Sequence, residues 1–220
     1  SNRQSETGDR QAALTSITQA VEIHRTLAQA NPAAHLPDLA MSLNNLSVHL
    51  RETGDRQAAL ISITEAVNHY RTLAQANPAA YLPNLASSLN NLSVHLRETG
   101  NWQAALISIT EAVNHYRTLA QANPAAHLPN LASSLNNLSN RQSETGDRQA
   151  ALTSITQAVE IRRTLAQANP AAHLPDLAMS LNNLSNCQSE TGDRQAALTS
   201  ITQAVEIRRT LAQANPAAHL

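Results

Sequence analysis

The sequence predicts an all-α protein, a solenoid of antiparallel helix hairpins stacked one on the next. Three observations predict it. The five glycines, Gly8, Gly54, Gly100, Gly146 and Gly192, stand 46 residues apart from one end of the chain to the other. Apolar residues recur at helical spacing, as in Leu39, Leu43, Leu46 and Leu50 at i, i+4, i+7 and i+11. Each interval also carries one glycine stop and one Asn-Pro break, so it divides into two helices.

In chain order, residues 1–7 read as the tail of a helix closed by Gly8, so the chain is expected to be a slice of a longer array. A long helix over about 10–30 follows, capped by Asp9, with Ala13, Leu14, Ile17, Ala20, Val21, Leu27 and Ala28 on one stripe. The connector Asn31-Pro32-Ala33-Ala34-His35-Leu36-Pro37 ends it. Ala33 to His35 are expected to add one turn, with Pro37 in the first turn of the helix proper, about 37–53. Gly54 then supplies a left-handed stop and Asp55 starts the second helix of the pair. The same order places helices near 56–76, 83–99, 102–122, 129–145, 148–168, 175–191 and 194–214. Small residues Ser47, Ala59 and Ala66 are expected where the two helices of a hairpin cross.

The repeats come in two versions. Ser47–Leu92 and Ser93–Leu138 differ only at Asp55/Asn101, Arg56/Trp102 and Tyr81/His127. The segments beginning at Ser1, Ser139 and Ser185 replace Val-His-Leu-Arg by Asn-Arg-Gln-Ser or Asn-Cys-Gln-Ser. Gln142 and Gln188 thereby replace the leucine that ends the apolar stripe, and looser packing is expected there.

Composition excludes several classes. Charged residues make up 14% of the chain and the net charge is −1, which leaves no drive toward nucleic acid or an anionic membrane. No apolar run approaches the roughly 18–20 residues that span a bilayer. A single Cys187 excludes an internal disulfide and fits a reducing, cytoplasmic compartment. The chain lacks both lysine and phenylalanine, whose codons are AT-rich, and this points to a GC-rich bacterial source.

Leu-Asn-Asn-Leu-Ser, then Gly-Asp (Gly-Asn at Gly100), Ala-Ala-Leu and later Ala-Val, resembles the tetratricopeptide repeat, and in-phase copies run along the whole chain. The long variant, typified by kinesin light chains and bacterial multi-repeat proteins, is most similar. Here the family's second-helix aromatic is Ile17, Ile63, Ile109, Ile155 or Ile201, and its late first-helix aromatic is Leu50, Leu96, Gln142 or Gln188. The resemblance implies one array over 1–220, with repeats 1–46, 47–92, 93–138, 139–184 and 185–220 wound into a right-handed superhelix. It also implies a non-catalytic scaffold or sensor that binds a protein or extended peptide in its concave groove. Carried onto this chain, the groove positions are Met41, Asn44, Val48 and Arg51 in one layer, and Ser87, Asn90, Val94 and Arg97 in the next. Ser133, Asn136, Asn140 and Ser143 follow, then Met179, Asn182, Asn186 and Ser189.

Asn44, Asn90, Asn136 and Asn182 form a ladder of amides able to hold a peptide backbone. The neighbouring Asn45 and its copies are expected to pin the helix to a loop. Nine histidines carry no metal-site spacing, and no acidic or cysteine partners cluster with them in the sequence. Neither a cofactor nor a catalytic residue is expected, Cys187 standing where another copy has Arg141. The alternative to a peptide-binding scaffold is self-association through the apolar ends of the array.

Overall fold

The structure is a computed structural model that describes the backbone of residues 2–214 and the side chains of residues 10–214. Ser1 and the fresh connector at 215–220 lie outside the described residues. Among the described residues there are nine helices: α1 (Asn2–Ala30), α2 (Pro32–Glu52), α3 (Arg56–Ala76), α4 (Pro78–Glu98), α5 (Trp102–Ala122), α6 (Pro124–Glu144), α7 (Arg148–Ala168), α8 (Pro170–Glu190) and α9 (Arg194–Ala214). Ser1–His115 and Tyr116–Leu220 form two compact units, the boundary falling inside α5. In the first unit α1 packs on α2, α2 on α3 and α3 on α4. In the second, α6 packs on α7, α7 on α8 and α8 on α9. The fold is an all-α solenoid of tandem helix hairpins.

The turn inside each hairpin follows from one glycine. Gly54 sits at φ +92°, a backbone that side-chain-bearing residues rarely adopt. There its N–H donates to the Arg51 carbonyl at 3.0 Å and the Asp55 N–H donates to the Leu50 carbonyl at 2.9 Å, which satisfies two of the free carbonyls at the end of α2. Asp55 Oδ1 then accepts from the Ala58 N–H at 3.0 Å and starts α3.

Two helix boundaries differ from expectation. Gly8 does not end a helix; α1 runs through it. Glycine permits either sign of φ, and the reversal at Gly54 is held by α2 and α3 packed on each other. The first helix of each pair begins at the first proline of the connector, five positions ahead of the expected Pro37. Asn77 shows why: its side chain accepts from the Ala80 N–H at 3.2 Å, and Pro78 follows at the first helical position. Pro37 is then interior to α2, but so early that one missing donor does not break the helix.

The core is made of leucines from the first helices and small residues from the second. Leu39, Leu43 and Leu46 are buried in α2, as are Ala59, Ile63, Ala66 and Val67 in α3. Ser47, Ala59 and Ala66 have no exposed surface, as expected of the crossing point. The equivalent Ser139 hydroxyl donates to the Ala151 carbonyl of the facing helix at 2.8 Å, a contact that only a small side chain permits. In α1, Val21 and Ala28 are buried but Leu27 is exposed. Both glutamines find a partner across the hairpin. Gln142 Oε1 accepts from Ser154 Oγ at 2.7 Å and Gln188 Oε1 accepts from Ser200 Oγ at 2.8 Å, so a polar pin stands where the other version has a leucine.

Candidate functional site on the first helices

A first helix has three kinds of position. In α2 the arc formed by Leu39, Leu43 and Leu46 is buried against the second helices. Asp38, Met41, Asn45 and Glu52 are exposed and fall on one stripe at i, i+3, i+7 and i+14. Asn44 lies between these arcs, half-buried, and meets the next first helix.

The expected groove residues divide accordingly. Met41, Arg51, Ser87, Met179, Asn186 and Ser189 are exposed. Asn44, Val48, Asn90, Val94, Arg97, Ser133, Asn140, Ser143 and Asn182 are half-buried, and Asn136 is buried. Met41 and Met179 keep 49% and 43% of their surface exposed, unusual for long apolar side chains.

The amide ladder is already engaged within the protein. Asn44 Oδ1 accepts from Ser88 Oγ at 3.0 Å and from Asn91 Nδ2 at 3.2 Å, both on α4. Asn136 Oδ1 accepts from Ser180 Oγ at 3.3 Å and from Asn183 Nδ2 at 3.1 Å, both on α8. The second asparagine of a pair therefore reaches a neighbouring helix, where a loop was expected. These bonds join the first helices of successive repeats within each unit.

Arg51 and Ser143 serve the same purpose. Arg51 Nη1 donates to Glu98 Oε1 at 3.3 Å, and Ser143 Oγ donates to Glu190 Oε2 at 3.2 Å. Sequence reasoning missed Asp38 and Asn45 as outward-facing groups, and read Glu52 as a charge beside Arg51. Their spacing with Met41 was available as a signal, since all four fall on one helix face.

The histidines do have acidic neighbours, contrary to the sequence reading. His69 Nε2 lies 3.6 Å from Glu65, one turn away, and His49 Nδ1 lies 3.5 Å from Glu52. His95 is buried, and burial holds its imidazole below the ordinary value; Glu98 acts against that shift and Arg51 with it. Its Nδ1 has no hydrogen-bond partner. Cys187 is buried, with Ser139 Oγ at 3.5 Å and Ser143 Oγ at 3.9 Å. A separate cavity of about 410 Å³, lined by Arg71, Glu111, His115, Pro78, Leu82 and Leu85 among others, contains none of the expected groove residues.

Two stretches match descriptions of the tetratricopeptide repeat, residues 131–171 and residues 179–211. The 46-residue period carries the same residues through the other copies. Residues 131–171 and 179–211 are tetratricopeptide repeats, and the repeating sequence supports a tetratricopeptide repeat protein. A search of curated proteins returns no match. Among solved structures, the chain is similar to a Podosopora anserina putative kinesin light chain with nearly identical TPR-like repeats. That likeness has a TM-score of 0.69 at 22% identity and covers 97% of this chain and 92% of that one. BtubC (BKLC) from P. vanneervenii is similar at TM-score 0.58 and 19% identity, with 92% of each chain covered. MamA is similar at TM-score 0.59 and 15% identity, over 94% of this chain and 96% of that one. At these identities the likenesses show the fold. Tetratricopeptide repeats are in general protein-interaction scaffolds. No described helix is long and apolar enough to cross a membrane.

Proposed function

We propose that this tetratricopeptide array is a non-catalytic scaffold that binds a protein or extended peptide on the face of its first helices. The supporting observation is the exposure of Met41 and Met179 on helix faces whose other outward groups are polar. A flexible thioether held in water adapts to many apolar side chains, and its burial by a ligand is favourable. Around the methionines, Asp38 and Asn45 in α2 and Asp176 and Asn186 in α8 are exposed and can hydrogen-bond a ligand backbone. The amides of Asn44 and Asn136 contribute to the face indirectly, by fixing the spacing of its helices.

A displayed library of unstructured peptides, selected on the whole chain, tests this reading. Peptides that bind the first unit are expected to lose most of their affinity for Met41→Asp, and those that bind the second for Met179→Asp, with both variants melting like the parent. Full affinity in the folded Met41→Asp/Met179→Asp double variant would move the interaction elsewhere.

A second reading, self-association, has one observation in its favour. α7 and α9 have the same sequence, yet Val159 in α7 is 2% exposed and Val205 in α9 is 38% exposed. On this reading α9 supplies the interface between two copies. Light scattering of the parent and of Val205→Glu decides it: a dimer that the substitution dissolves supports the reading, and a monomeric parent ends it.

A further inference from the structure

One position, buried at Tyr70, Tyr116 and Arg162, differs in chemistry from repeat to repeat. It lies late in each second helix and is filled by His24, Tyr70, Tyr116, Arg162 and Arg208 in successive copies. Tyr70 is buried and its hydroxyl accepts from Asn84 Nδ2 at 3.3 Å. Arg162 is only 2% exposed; its Nη1 donates to the Asp176 carbonyl and to Ser180 Oγ, each at 2.7 Å. His24 Nδ1 lies 2.8 Å from Ser42 Oγ. In all three cases a partner stands on the first helix that follows, and Arg162 Nη2 also donates to Ser133 Oγ on the preceding first helix at 3.2 Å.

The partners change with the occupant. Where the position holds a tyrosine, the residue fourteen places on is an asparagine, Asn84 after Tyr70 and Asn130 after Tyr116. Where it holds His24 or Arg162, that residue is an aspartate, Asp38 or Asp176. A phenol needs only a neutral hydrogen-bonding neighbour, and an amide supplies one. A guanidinium removed from water needs every N–H satisfied and a negative charge nearby. The Asp176 carbonyl and the Ser180 and Ser133 hydroxyls accept from the guanidinium, and Asp176 supplies the negative charge nearby.

We infer that this position is a matching key by which a second helix selects the first helix that packs on it, tyrosine with asparagine and arginine with aspartate. The key distinguishes repeats whose leucine and alanine cores are interchangeable. It restricts which repeat can follow which, and the same rule governs any first helix offered from another molecule to an uncovered second helix.

Thermal melts of the 220-residue chain carrying two pairs of substitutions test the inference. In the first pair, Asp176→Asn is expected to lower the melting temperature, and adding Arg162→Tyr is expected to raise it again, because tyrosine accepts asparagine as a partner. In the second, Tyr70→Arg is expected to lower it further than Asp176→Asn does, and Asn84→Asp is expected to restore a large part. Simple addition of the single effects in the 162/176 pair would overturn the inference, as would a double variant melting no higher than Asp176→Asn. Should Tyr70→Arg not fold, the 162/176 pair alone decides. Arg162→Met separates matching from filling: a parent-like melt of that variant, unaffected by adding Asp176→Asn, would also overturn the inference.

Discussion

The two units solve the same packing problem with different chemistry. In the first, neighbouring second helices are joined by ion pairs, Arg25 to Glu65 and Arg71 to Glu111, each at 2.7 Å. In the second, the same geometry is filled by neutral acceptors: Arg117 donates to Gln157 and Arg163 to Gln203, each at 3.0 Å. The contrast recurs between the first helices, where Arg51 meets Glu98 in one unit and Ser143 meets Glu190 in the other. It recurs inside the hairpin, where Leu50 of the first unit corresponds to the Gln142–Ser154 pair of the second. The separation in sequence is conserved while the bond type changes, so the polar contacts follow the backbone. The backbone is set by what both units share, a first helix rich in leucine against a second rich in alanine.

If the shared core dominates, overpacking it should hurt both units alike and most. Ala59→Phe and Ala151→Phe each place a ring at a position with no exposed surface and are expected to cost at least about 1–3 kcal/mol. Thermal unfolding checks this; a parent-like melt for either variant would remove that alanine from the helix crossing. Next in size is the bond between first helices. Asn136→Ala removes an acceptor that serves two donors and is expected to cost about 1–3 kcal/mol, at roughly 0.5–1.5 kcal/mol per bond. Asn44→Ala should cost less, because the half-buried site lets water replace the amide. Denaturant titration of both variants sharpens the comparison, and equal losses would contradict it.

A smaller effect separates the units by pH. In the folded first unit, burial holds the His95 imidazole below its ordinary value of 6.5. The unfolded chain therefore binds that proton more readily, and stability rises with pH across the interval between the two values. The contribution is complete above about 6.5 and is lost as pH falls toward the lower folded value. Melts taken from about pH 7.5 down to about pH 5 should show a weaker acid sensitivity in His95→Gln than in the parent. Identical slopes would mean that His95 does not titrate differently on folding. The smallest expected change converts one unit's chemistry into the other's. Glu65→Gln and Glu111→Gln replace exposed ion pairs by the neutral contacts of the second unit and should alter stability by only about 0–1 kcal/mol. The parent's small advantage should vanish in high salt, and an advantage that survives salt would show these pairs to be more than surface contacts.

The face proposed for binding was only partly legible from the residues. Met41 and Met179 are exposed on their helices. Asn44 and Asn136 were read as ligand contacts because the spacing puts them near that side. Helical spacing gives an angle about one axis, but the neighbour occupying that angle comes from a residue 44 or 47 positions away. Gln142 and Gln188 were read as weak points for a related reason. A polar residue in an apolar stripe is unfavourable only until a partner is found, and Ser154 and Ser200 stand on another helix.

The sequence by itself determined the hairpin. Its period, its left-handed glycine, its aspartate cap and its leucine stripe all act within a few residues of one another, and each has a local physical cause. Tertiary structure alone decided that Gly8 is crossed by a continuous helix while Gly54 reverses the chain. It also decided that Arg162 is buried beside Asp176 while Arg208, in a helix of identical sequence, is exposed. Such outcomes depend on which surface lies against a residue, because burial and hydrogen bonding are properties of a pair, and only one member of the pair is written at any position.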